Sequence, residues 1–165
     1  MTQMADTKKI ISTAIEFEHY GHEYYVRFQE LVADTEAKAL MKSLGEDEKE
    51  HVEILTRQLR ELGGEAKKPS KQMLAKGMAE IFPEKVKRNS IAAKDAISAV
   101  KLGIRTEQRS IDFYSKHAKG APHDLKEIFE RLEKMERGHL GMLEDSLRNL
   151  EDEGVWTGYV PILEG

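Results

Sequence analysis

Four glutamates in this chain stand where a helix would ordinarily place an apolar residue. Glu18 interrupts the stripe Ile11, Ala14, Gly21, Tyr25, Phe28, Val32, and Glu48 interrupts Ala37, Met41, Leu44, Leu55, Gln58, Leu62. Glu107 breaks Ala93, Ala96, Val100, Gly103, Ser110, Tyr114, His117, and Glu136 breaks Leu125, Phe129, Leu132, Leu143, Ser146, Leu150. Alternating three- and four-residue steps gather each set onto one helix face. Two histidines belong to the same pattern, because His51 and His139 each follow a glutamate by three residues.

Carboxylates at one height in a bundle core would repel each other and lose their hydration. Something positive must lie between them. Two divalent cations would neutralise four carboxylates, and each neutral imidazole would supply one nitrogen donor. A purely structural use, two buried Glu–His pairs that specify packing, leaves Glu18 and Glu107 without partners. The expected metal ligands are therefore Glu18, Glu48, His51, Glu107, Glu136 and His139. Oxygen-rich donors with one imidazole per ion and no thiolate suit iron or manganese, and zinc can take the same donors in purified material.

Tyr25 and Tyr114 lie two turns beyond Glu18 and Glu107 on the same faces. Either could hydrogen-bond a ligand carboxylate of the opposite hairpin and hold its orientation, or simply pack as core aromatics. Tyr24 is a weaker candidate for the same role. His19, His22, His117 and His123 read as surface or rim residues, with His22 close enough to Glu18 to line an entrance. Gly138 and Gly141 flank His139, where they either let a neighbouring helix or small oxidant approach or are merely tolerated.

The elements that must position these residues are set off by helix punctuation. Asp6 or Thr7 can cap a first helix reaching about Ala33, and Asp34 and Thr35 offer caps for a second ending at Leu62 before Gly63 and Gly64. A link over residues 63–90 has room for a short helix at Lys71–Ile81. A third long helix fits from Asn89 or Ser90 to about Lys119, stopped by Gly120 and Pro122, and a fourth runs from about Asp124 to Glu153 before Gly154. Each long segment has about 28 residues, or roughly 42 Å of helix. Strand and hairpin signals are missing. Two tight turns and one long middle connection predict an all-α fold: an antiparallel four-helix bundle of two hairpins joined by a crossover, over residues 1–154. Residues 155–165, with Trp156 and Tyr159, read as a short irregular C-terminal tail laid on the surface or on a partner.

The chain also repeats itself. The third helix laid over the first places Glu107 on Glu18, Tyr114 on Tyr25 and Ser110 on Gly21; the fourth over the second places Glu136 on Glu48 and His139 on His51. Such pseudo-twofold symmetry is what two metals sharing two carboxylates require.

Composition narrows the function. The 165 residues carry 26 basic and 30 acidic side chains, a net charge of −4 that gives no reason to expect nucleic-acid binding. With no cysteine, disulfides, thiolate catalysis and Cys-held metal are excluded. No apolar run is long enough to span a membrane, and the polar start lacks a signal-like stretch, so a cytoplasmic protein is expected. The crossover is basic, with Lys67, Lys68, Lys71, Lys76, Lys85, Lys87 and Arg88, either a solvated face or a dock for an acidic partner.

In these residues, two lone glutamates and two Glu-x-x-His motifs, the chain resembles the ferritin-like di-iron carboxylate proteins over residues 11–150. The segments Ala-Ile-Glu-Phe-Glu-His-Tyr-Gly-His-Glu-Tyr-Tyr and Glu-Gln-Arg-Ser-Ile-Asp-Phe-Tyr look especially like the rubrerythrin group, here without its Cys-ligated rubredoxin module. The group's additional glutamate three residues after the third-helix ligand is replaced by Ser110, which leaves a symmetric Glu4His2 site. The resemblance implies a ferritin-like bundle and a non-haem dinuclear iron oxidoreductase that reduces hydrogen peroxide or dioxygen and serves under oxidative stress. Glu48 and Glu136 would bridge two iron ions, Glu18 and Glu107 would be terminal, and His51 and His139 would hold the outer sides. Electrons would come from a separate rubredoxin-like protein or reductase. A homodimer or small homo-oligomer is expected, and no haem, because Lys49 rather than Met follows Glu48. The same resemblance leaves two alternatives: a ferritin-type ferroxidase or iron-handling protein, and a manganese catalase-like enzyme.

Overall fold

The computed structural model describes residues 2–83 and 85–156, and these form five helices and no strand. They are α1 (Thr2–Leu31), α2 (Thr35–Glu61), α3 (Lys71–Ile81), α4 (Ala93–Ala118) and α5 (His123–Glu153). The four long ones make an all-α, ferritin-like bundle. α1 lies along α2 and α4 along α5, so two hairpins face each other, with the short α3 against α1 and α4.

Local chemistry accounts for most helix ends. The Asp34 carboxylate accepts from the Ala37 N–H at 2.8 Å, and the Ser70 hydroxyl accepts from Met73 N–H at 3.2 Å, each satisfying a donor the first turn leaves open. Past α2 the chain reverses through Gly63 at φ 70°, with Gly63 and Gly64 N–H groups bonded back to Arg60 and Leu59 carbonyls. Two starts differ from the sequence expectation. α1 begins at Thr2, and the Thr7 hydroxyl donates to the Gln3 carbonyl within the helix instead of capping it. α4 begins at Ala93 rather than at Asn89 or Ser90, because Asn89 sits at φ 57° and the N–H groups of Asn89 and Ile91 donate to Glu30 and Leu31 carbonyls. α5 begins at His123, within a residue of the expected start, behind Pro122, which has no side chain able to cap.

The crossover spans the length of the bundle. Lys8 reaches the Gly63 carbonyl at one end, and the Asn89 bond to Glu30 ties the chain to the other. Along the way Phe82 packs on Tyr24 and Phe28, with ring centroids 5.7 and 5.3 Å apart, and Trp156 meets Phe28 at 5.6 Å. Tyr159 lies outside the described residues.

The apolar core falls into two clusters. One contains Tyr25, Phe28, Leu31, Met41, Leu44, Val100 and Leu143, the other Ile11, Ile15, Leu55, Leu59, Tyr114, Phe129 and Leu132. Burying each large apolar side chain contributes about 1.5–3 kcal/mol. Between the clusters in sequence, on all four long helices, come the glutamates and histidines. The stripes read from the sequence face inward, except at their ends, where Gln58, Leu62 and His117 are half-buried and Ala93 is exposed.

Candidate metal centre

Each long helix delivers its polar residues to the bundle interior. Glu18 comes from α1, Glu48 and His51 from α2, Glu107 from α4, and Glu136 and His139 from α5. None is more than 5% exposed. The structure thus brings all six sequence-predicted residues together.

His51 Nδ1 lies 3.1 Å from both Glu18 Oε2 and Glu136 Oε1, and 3.9 Å from Glu48 Oε2. His139 Nδ1 lies 3.0 Å from both Glu48 Oε1 and Glu136 Oε2, and 3.8 Å from Glu107 Oε1. The two rings are nearly parallel, 5.7 Å apart at 11°. Two overlapping sets of donors result: Glu18, Glu48, His51 and Glu136, and Glu48, Glu107, Glu136 and His139, with the donor atoms of each set within 4.8 Å of one another. Glu48 and Glu136 belong to both.

The donor chemistry fits cations. Among the described residues Glu48 Oε1, Glu136 Oε2 and His139 Nδ1 are buried without a hydrogen-bond partner, yet each of the two oxygens lies 3.0 Å from that nitrogen. Carboxylate oxygens only accept, so a metal ion satisfies in one step what no further donor in the core supplies.

Protons must take that place when no metal is bound. Burial pushes the Glu48 and Glu107 carboxyls well above the usual range, helped by the neighbouring Glu136 carboxylate. Burial would also lower the two imidazoles, but hydrogen bonds to carboxylates outweigh it. Hydrogen bonds to Glu136 and Glu18 raise His51 to about 9, and the hydrogen bond to Asp47 with the nearby charge of Glu136 raises His139 to about 10. Glu136, although burial pushes it up, is held below the normal carboxylate range by His139 and His51.

The tyrosines reach across the bundle. The Tyr25 hydroxyl donates to Glu107 Oε1, and the Tyr114 hydroxyl donates to Glu18 Oε1, each from one hairpin to a carboxylate of the other. Burial beside those carboxylates drives both phenols far above their ordinary pKa, so they remain donors at any working pH. Tyr24 does something else. Its hydroxyl donates to the Ala99 carbonyl at 3.1 Å and lies against Gly103, whose missing side chain leaves room for the ring.

The remaining histidines stay outside the cluster. His22 Nδ1–H donates to the Gly45 carbonyl at 2.7 Å and, with His19, Glu23 and Glu53, lines a pocket on the outer side of α1 and α2. His117 packs on Phe113 at 4.4 Å, and His123 is exposed. A side-chain Cβ at Gly138 or Gly141 would meet no atom within 4 Å, so these glycines do not serve a close helix approach.

Two contributors were not evident in the sequence. Asp47 Oδ2 lies 3.2 Å from His139 Nε2, so it accepts the proton of that ring nitrogen and, in the neutral ring, leaves the Nδ1 lone pair on the side of the carboxylates for a cation. Its signal was its place directly before Glu48 in an Asp-Glu-x-x-His run. Gly21 is the other: a Cβ there would stand 2.9 Å from Glu48 Oε2, so its lack of a side chain gives Glu48 its position.

A ferritin-like helical bundle with a buried Glu4His2 cluster that fits a di-iron site defines the class. Within that class, the family model for rubrerythrin matches residues 9–147, and the chain belongs to the rubrerythrin family. Solved structures agree on the fold. One is described as a dodecameric thioferritin, a bacterioferritin-related protein from Bacteroides fragilis; it is 17% identical, with 90% of this chain and 88% of that chain covered and a TM-score of 0.71. Another, a hypothetical protein from Pyrococcus furiosus, is 21% identical over 92% of both chains, with a TM-score of 0.66. A search of curated proteins finds no significant match. No described helix is long and apolar enough to cross a membrane.

Proposed function

We propose that the protein is a non-haem dinuclear iron oxidoreductase that reduces hydrogen peroxide or dioxygen with electrons from a separate donor. The observation that carries this reading is the overlap of the two donor sets through Glu48 and Glu136, which suits a pair of ions and is redundant for one. Glu18 and His51 would complete the holding of one ion, Glu107 and His139 that of the other. Iron, when bound, supplies two one-electron oxidations, the two electrons that hydrogen peroxide needs, with two protons, to become two molecules of water. Tyr25 and Tyr114 donate to Glu107 and Glu18 and would hold the orientation of these carboxylates towards the ions. The surrounding apolar clusters keep bulk water from the carboxylates.

These 165 residues hold no cysteine and so no thiolate-held electron-transfer centre of their own, which accords with a donor outside them. The basic crossover offers an acidic carrier its docking face. A cytoplasmic setting, where reduced iron and such carriers are at hand, accords with this chemistry.

A second reading has one observation in its favour. The thioferritin of like fold is described as dodecameric, which is consistent with a larger assembly and an iron-handling or ferroxidase role for this chain too. The discriminating experiment is anaerobic loading with ferrous iron followed by stopped-flow mixing with peroxide or with dioxygen, alongside light scattering for assembly size. Much faster oxidation by peroxide in a small oligomer supports the peroxidase. Faster oxidation by dioxygen in a hollow shell that retains iron supports iron handling. Peroxide disproportionation by the manganese form alone would favour the catalase-like alternative. Zinc without spectral change would leave a structural bundle.

A further inference from the structure

The pseudo-twofold symmetry of the cluster is broken behind the two imidazoles. Behind His139, the Nε2–H group has an acceptor, Asp47 Oδ2 at 3.2 Å. Behind His51, Nε2 is buried with no hydrogen-bond partner among the described residues. The repeat explains the difference, because the position superposing on Asp47 is Met135. A thioether is at best a weak acceptor.

This matters for an imidazole that binds through Nδ1. The neutral ring must then carry its proton on Nε2. At His139 that proton is donated to a carboxylate, which orients the ring and makes Nδ1 a stronger donor. At His51 the same tautomer places a proton on a buried nitrogen without an acceptor. The tyrosine contacts balance, since Tyr25 on Glu107 and Tyr114 on Glu18 are mirror images of each other.

Resting on the proposed two-ion reading of the cluster, we infer that its two halves are unequal: the position of Glu107 and His139 fills first and holds a divalent cation more tightly than the position of Glu18 and His51. Asp47 is the positioning residue responsible. At limiting metal supply the protein carries one ion, and the ion beside His51 is the one that exchanges.

Zinc alone is a sufficient probe. The metal-free protein is given one equivalent of zinc per chain and crystallised, and anomalous scattering locates the ion; a second sample at saturation gives the total. Competition with a chromophoric chelator gives the two affinities. Expected are two ions at saturation, preferential occupancy beside His139 at one equivalent, and dissociation constants separated by about 10–100-fold, the usual effect of such an outer partner. Asp47→Ala should weaken the tighter position by a similar factor and leave the weaker one nearly unchanged. Asp47 is 39% exposed, so its truncation does not empty the core, and circular dichroism verifies the fold. Met135→Asp should tighten the weaker position. Equal occupancy at one equivalent, or loss of affinity at both positions alike in Asp47→Ala, overturns the inference while leaving the two-ion reading intact. Fewer than two ions at saturation overturns both.

Discussion

Removing metal should make stability fall with rising pH, and the size of the fall can be worked from the cluster. In the metal-free protein His51 titrates at about 9 and His139 at about 10, against an ordinary imidazole value of 6.5. Both groups are at most 3% exposed in their side chains, so solvent does little to screen them. Above pH 6.5 the unfolded chain releases these protons and the folded one keeps them. The stability they contribute is complete below about pH 6.5 and is lost as pH rises through 9 and 10. Glu48 and Glu107 act in the same direction, because burial raises them and the folded state again holds protons that the unfolded chain has released. One proton is worth about 1.4 kcal/mol per pH unit. With the unfolded imidazoles still partly protonated at pH 7, the two together therefore remove about 2.4 kcal/mol between pH 7 and 8, a drop in Tm of about 5–10 °C for a chain of this size. With metal bound, the cations replace those protons and the dependence over the same interval disappears. Calorimetry of chelated and metal-loaded samples at pH 6, 7, 8 and 9, with metal content measured in each, is the assay. A metal-free Tm that stays level or rises from pH 7 to 9 refutes the reasoning.

Substitutions probe the parts separately. Gly21→Ala should leave stability within about 1 kcal/mol of the parent, since alanine favours the helix and only the flexible end of Glu48 must move. Metal affinity should nonetheless fall about tenfold or more, which chelator competition would show; unchanged affinity would mean that Glu48 has no fixed position. Tyr25→Phe and Tyr114→Phe each leave a buried carboxylate short of a donor, so each should cost the metal-free protein about 1–3 kcal/mol in urea unfolding. Losses well below that would show the two hydroxyls to be incidental. Gly138→Ala, facing open space, should add up to about 1 kcal/mol in the same assay without changing metal content.

Helix faces were legible because their period is set by covalent geometry, and the stripe-breaking glutamates stood out against it. Less legible was anything decided by a neighbouring helix. Asp47 is a half-exposed acidic residue among the charged residues of α2, and only the packing of α5 places His139 against it. Tyr24 and Tyr25 are adjacent and chemically alike, yet a rotation of one residue sends one hydroxyl to the Ala99 carbonyl and the other to Glu107. Asn89 and Ser90 are good cap residues, but the backbone bonds of this segment to the end of α1 hold it out of the helix. Repeat symmetry, too, was plain in the ligands and silent about Met135, whose meaning emerges only once His51 is seen without an acceptor.

The central claim is a buried pair of metal ions held by carboxylates from all four long helices. It is tested most directly by counting metal per chain after anaerobic ferrous loading and desalting, in the parent and in Glu48→Ala and Glu136→Ala. The account predicts two iron ions per chain in the parent and loss of at least one in each variant. A parent that retains fewer than two iron ions, or variants that both keep two, would contradict it.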